Sequence, residues 1–131
     1  MLTNAGRDFV AKQIAGAASA TAVAKFVAIT ANSTAPAAGD TSLTGEITTA
    51  GGGLVRQTGV YAHTTGTATF TVTSTFTANG TDSLPVTIAK RGIFDQFAVG
   101  GTLVYEALVS PTAVMAASGD SLVLTDTVTI S

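Results

Sequence analysis

One imidazole, His63, and eight carboxylates, with no thiol anywhere, are the side chains from which this chain could build a reactive centre. A zinc site usually takes three or four converging nitrogen, sulfur or oxygen ligands, so His63 would need several carboxylates gathered around it. The carboxylates are Asp8, Asp40, Glu46, Asp82, Asp95, Glu106, Asp120 and Asp126, spread one to a loop or strand rather than paired as an acid/base dyad. A serine nucleophile would need a Gly-x-Ser-x-Gly elbow, and none occurs; Ser118-Gly119-Asp120 reads as a turn. The triple glycine Gly51-Gly52-Gly53 permits positive φ and close backbone approach, but no strand precedes it and no helix opening on Lys-Ser/Thr follows it. It is therefore read as a turn or bulge rather than a phosphate cradle. On these grounds no catalytic, cofactor-binding or metal-binding residue is assigned, no cofactor is expected, and the chain is not expected to be an enzyme.

Two charged positions still call for partners. Glu46 and Arg56 are spaced to pair across the glycine turn, and as an exposed pair they would add little. Asp126 shares strand parity with Leu124 and Val128, so it faces the apolar side and needs a cation such as Lys90 or Arg91. A strand end or an interface is the expected place for it.

The elements that must position these residues are mostly strands. Val86 to Phe94 reads as a strand, residues 95–101 as a glycine-bearing loop and residues 102–109 as a returning strand that Pro111 breaks. After a turn at Ser118-Gly119-Asp120, residues 121–130 alternate, with Leu122, Leu124, Val128 and Ile130 on one face and Ser121, Thr125, Thr127 and Thr129 on the other. This C-terminal run is expected to form half of a sandwich. Upstream, residues 67–78 alternate most cleanly: Ala68, Phe70, Val72, Phe76 and Ala78 face one way and the threonines at 67, 69, 71, 73, 75 and 77 the other. The threonine row suits a solvated sheet face; an ice- or carbohydrate-binding face would use a similar row, but a single strand supports that weakly. Residues 23–31 and 54–64 also have strand character, and residues 32–42 form a long loop. Asn79-Gly80 is a tight-turn dipeptide, and the triplets at Asn32 and Asn79 that resemble glycosylation acceptors are read as turn chemistry. Near the start, Thr3 or Asn4 can cap a short helix to about Ile14 with Phe9, Val10 and Ile14 as its apolar stripe, stopped by Gly16. Such a helix either docks on a neighbouring subunit or closes one end of its own sandwich.

Composition narrows the function classes. With 131 residues the chain is long enough for one core, giving a single domain over 1–131 with residues 1–22 as helix and linker or arm. Charged residues are only 11% of the chain against 46% hydrophobic, which favours a protein that packs against other proteins. Net charge is -2, and the six basic residues are scattered rather than striped, so nucleic acid is not an expected partner. No apolar run reaches the roughly 18 residues of a membrane span, and the N-terminal stretch lacks the pattern of a secretory signal. The absence of Trp and the presence of only two Tyr, Tyr61 and Tyr105, disfavour a carbohydrate-binding module.

Three segments, LTNAGRDF, TSLTGEITTAGGGLVRQTGVYAHTTGTATFTVTSTFTANG and GIFDQFAVGGTLVYEALVSPTAVMAASGDSLVLTDTVTI, together resemble small structural proteins of tailed bacteriophages. Gly92-Ile93-Phe94-Asp95, Gly100-Gly101-Thr102-Leu103 and Gly119-Asp120-Ser121-Leu122 carry the likeness as turns and strand starts; the third glycine at 51–53 and the charge at Asp126 depart from it. The resemblance implies a virion β-sandwich and brings no catalytic residues. The expected fold is mainly β, an antiparallel β-sandwich or jelly-roll-like fold of about seven or eight strands with a short N-terminal helix. The expected role is a capsid decoration or cement protein, in a trimer or other symmetric homo-oligomer, bound to the major capsid protein in a virion assembled in the host cytoplasm. The alternative is a tail or baseplate component, such as a tail-fibre attachment domain, bound to neighbouring tail proteins.

Overall fold

A computed structural model describes residues 1–15 and 23–130. Helix α1 (Asn4–Ala15) is followed by seven strands: β1 (Phe26–Thr30), β2 (Gln57–Thr58), β3 (Val60–His63), β4 (Thr69–Thr77), β5 (Val86–Phe94), β6 (Leu103–Met115) and β7 (Ser121–Thr129). They form two antiparallel sheets, β2-β1-β5-β6 and β3-β4-β7. Val27, Ile29, Ile88, Ile93 and Val109 from the first sheet interdigitate with Val72, Phe76, Leu124 and Val128 from the second. That shared core makes the molecule a β-sandwich.

Alternation in the sequence accounts for the inner faces. On β7, Leu124, Asp126 and Val128 are buried between exposed Thr125, Thr127 and Thr129, and on β4 Val72, Ser74 and Phe76 are buried. Ile130, expected on the covered face, lies beyond the strand and is exposed. The C-terminal run is not half a sandwich, however: β5 and β6 pair in one sheet, while β7 crosses to the other and pairs with β4 along its whole length. Nor does Pro111 break β6. Between the pairs Ile88↔Ala113 and Lys90↔Leu108, β6 carries extra residues that do not pair in register, and Pro111 lies in that irregularity, where its missing N–H costs no ladder bond.

The apolar run at 54–64 is divided between the sheets. Gln57 and Thr58 pair with β1 while Val60 to His63 pair with β4, so the chain changes sheet at Gly59. The Gly59 N–H donates to Lys25 O at 2.7 Å, and a Cβ at this position would overlap the Val72 side chain. Only glycine lets the backbone pass so close to the core.

The helix begins at Thr3, whose Oγ1 accepts the Gly6 N–H at 2.9 Å and donates to Leu103 O. This is an N-cap bonded at the same time to β6, and it seats α1 on its own chain, with Gly6 directly over the Val104 carbonyl. The expected stop at Gly16 and the linker after it lie outside the described residues, as does the Ile14 side chain. The strand expected over 23–31 is confined to Phe26–Thr30, with Val23 exposed before it.

Candidate functional site

The outer face of the β2-β1-β5-β6 sheet is covered by the long loop and its continuation. Leu43 packs with Ala28, Phe94 and Leu103, and Thr30 Oγ1 donates to Thr44 O and Gly45 O. Under this cover lie two charged clusters. In the first, Arg56 makes a two-pronged pair with Glu46, Nε to Oε1 at 2.6 Å and Nη2 to Oε2 at 2.9 Å. Its Nη1 donates to the carbonyls of Gln96, Ala98 and Gly100, and the guanidinium lies 3.6 Å from the Phe94 ring centroid. This pair was expected to be exposed; it is buried because the chain from Glu46 to Arg56 folds down onto the sheet and the 95–101 loop closes over it. Desolvation raises the importance of every bond the guanidinium makes.

The second cluster gathers side chains from three places. Lys90 on β5 and Glu106 on β6 stand two pairing positions apart on the outer face, with Nζ 3.4 Å from Oε2 and exposures of 3% and 0%. Asp40 comes from the covering loop. The Ala37 N–H donates both to Glu106 Oε1 at 3.1 Å and to Asp40 Oδ2 at 3.0 Å, which draws the two carboxyls together. Burial, and then the hydrogen bond with Asp40, push the Glu106 carboxyl above the ordinary range. The same hydrogen bond, with the Ala37 N–H, holds Asp40 below it. Two neighbouring carboxyls whose titrations are linked behave this way, one shifted up and the other down. Glu106 Oε2 accepts no hydrogen bond.

Asp126 is neither at a strand end nor at the surface. It sits in the middle of β7, fully buried, and pairs across the core with the Arg91 Nε. Arg91 is one of the two cations that strand parity nominates, and its Nη1 also reaches Leu108 O at 2.7 Å. Burial raises the Asp126 pKa, with Arg91 opposing the shift.

The other sequence candidates are dispersed. His63 is exposed on β3, its Nδ1 2.7 Å from Thr69 O, and no group of three or more histidines and carboxylates able to hold a metal occurs among the described residues. Asp120 accepts the N–H groups of Ala116 and Ala117 at 2.7 and 2.9 Å, which holds its carboxyl below the usual range and makes Ser118-Gly119-Asp120 a turn. The triple glycine is likewise a turn: Gly51 has φ +79°, and Gly53 lies against the Thr77 carbonyl with no room for a side chain. Asp82 ties the two neighbouring turns together by accepting from Gly53, Leu54 and Asn79 N–H at 2.9, 3.3 and 2.8 Å. Asn32 and Asn79 each accept a backbone N–H two residues on, from Thr34 and Thr81. Tyr61 is exposed beside Phe70, and Tyr105 is half-buried.

The outer face of the β3-β4-β7 sheet has no covering segment among the described residues. Register pairs Thr69 with Thr129, Thr71 with Thr127 and Thr73 with Thr125, so the threonine row is two strands wide. The Thr73 and Thr125 hydroxyls are 3.1 Å apart, and Val60 and Val123 flank the row at 72% and 60% exposure. The periodicity of each strand gave its wet face, but the pairing of these two strands had no local signal. Comparison of the chain with protein-family models and with curated proteins yields no match.

Proposed function

We propose that this β-sandwich is a virion structural protein of the kind that decorates and cements a bacteriophage capsid, binding the outer lattice of the major capsid protein as a symmetric homo-oligomer. The observation that carries the reading is where the charges are. Of six cationic and eight acidic side chains, three of each are tied up in the pairs Arg56–Glu46, Lys90–Glu106 and Arg91–Asp126. What remains outside is largely hydroxyl and aliphatic, a surface suited to burial against other subunits. The 95–101 loop, pinned from below by Arg56, presents exposed Phe97 and Val99, and Val60, Val114 and Val123 are exposed elsewhere. A protein that binds only the assembled shell stabilises it by mass action.

Quantitative mass spectrometry of purified particles tests the proposal: hundreds of copies per particle are expected, whereas about three to a dozen would place the chain in the tail or baseplate instead. Because the attachment is apolar, raising salt should release little of it, and steep salt-driven release would contradict the reading. Val99→Asp should block attachment while the isolated protein keeps its fold.

A further inference from the structure

The Lys90–Glu106–Asp40 cluster has a chemistry that the decoration role does not use. An amine and a carboxyl lie side by side under the covering loop, one on each of two adjacent strands, both nearly removed from water. As an ion pair this arrangement is a poor one, because Glu106 Oε2 has no hydrogen-bond partner although the Lys90 Nζ is 3.4 Å away. Desolvating two charges without completing their hydrogen bonds is costly, and conversion to a neutral product removes that cost. The fold also holds the reactants together permanently, the condition under which intramolecular reactions gain most.

We propose that Lys90 and Glu106 condense to an intramolecular amide, with Asp40 as the base that moves the protons. Starting from the Lys90 ammonium and two carboxylates, one ammonium proton passes to Glu106, leaving a neutral Lys90 amine, a protonated Glu106 and an ionised Asp40. Nζ then attacks Glu106 Cδ and the Nζ–Cδ bond forms. Asp40 takes the second proton from nitrogen and delivers it to the departing hydroxyl, the Cδ–O bond breaks, and one water leaves. Asp40 ends as it began, and no oxidant, reductant or metal is consumed. The directions in which the two carboxyls are shifted match these roles: Glu106, the acceptor, is shifted up and Asp40, the base, down. The product is a covalent staple between β5 and β6, fixed beneath the loop that bears Asp40.

Intact mass of the denatured full-length chain is the test. The expected mass is one water below that of the sequence, and a proteolytic digest should contain a branched peptide joining the Lys90 and Glu106 segments. Lys90→Met should restore its own full sequence mass, and Asp40→Asn should leave most of the chain unlinked. A wild-type chain at full sequence mass overturns the proposal, as does a lost water that maps to any other pair of residues. Neither measurement depends on a particle, so failure here leaves the decoration reading untouched.

Discussion

The two outer faces of the sandwich solve the same problem in opposite ways. On the β2-β1-β5-β6 sheet the strands place Lys90 and Glu106 beside apolar Phe94 and Leu103, and a long irregular segment must cover them. That cover is held by charge: Arg56 binds Glu46 and three loop carbonyls, and the Ala37 N–H is shared by two carboxyls. On the β3-β4-β7 sheet the strands place threonines in register, and the face needs no cover at all. Charge in this molecule therefore serves as an internal fastening for irregular backbone, while hydroxyls carry the bare surface. That division explains how a chain so poor in charge folds with so much of it inside.

Substitutions can break this contrast, beginning with the strongest fastening. Arg56→Met should be the most damaging, because it leaves Glu46 buried without its cation and three carbonyls without their donor; a loss of about 3–5 kcal/mol is expected in denaturant unfolding. A loss under about 1 kcal/mol would mean that the cover is held by apolar packing instead. Asp82→Ala removes the acceptor of three backbone N–H groups and should cost about 1–3 kcal/mol, with faster hydrogen exchange at Gly53 and Asn79.

Titration gives a smaller effect of defined sign. Asp126 has a raised pKa, so the folded state binds its proton more tightly than the unfolded chain does. Stability from this group grows as pH falls from neutrality through the folded-state value and is absent at higher pH. Asp120 is shifted down and acts in reverse: its contribution is present above the ordinary carboxylate range and is lost as pH falls through its folded-state value. Thermal unfolding across pH should therefore show highest stability on the weakly acidic side of neutrality, with a decline below about pH 4. Asp126→Asn should flatten the acid-side rise. The smallest change is expected on the bare face, where Thr73→Val should alter stability by no more than about 0.5 kcal/mol. A larger loss there would show that the hydroxyl pairs are structural and not merely wet.

Local pattern made much of the fold legible. The strand from Val86 to Phe94 is expected and observed with the same limits, and the alternation of β4 and β7 gives their buried faces. Parity puts Asp126 on the apolar face with Lys90 or Arg91 as its cation, of which Arg91 is the one that pairs, although mid-strand and not at a strand end or interface. What stayed hidden depends on long-range pairing. Nothing near Ser121 indicates that β7 leaves its sequence neighbours for β4, and nothing near Gly59 separates a residue that ends one sheet from a residue that starts the other. Pro111 misleads because an irregular stretch of β6 supplies a place where its N–H is not needed. The Lys90–Glu106–Asp40 cluster was illegible for a related reason: Lys90 and Glu106 meet through the register of β5 on β6, and Asp40 joins them only when the loop after β1 folds back across the sheet.

The passage through Gly59 has a mechanical meaning. Interdigitated side chains and the Arg91–Asp126 pair already couple the two layers, and a covalent crossing adds a path that does not depend on packing. Here one peptide unit rivets the layers at the level of Val72, so a sideways tug on the threonine-bearing layer is transmitted as bond tension into its neighbour.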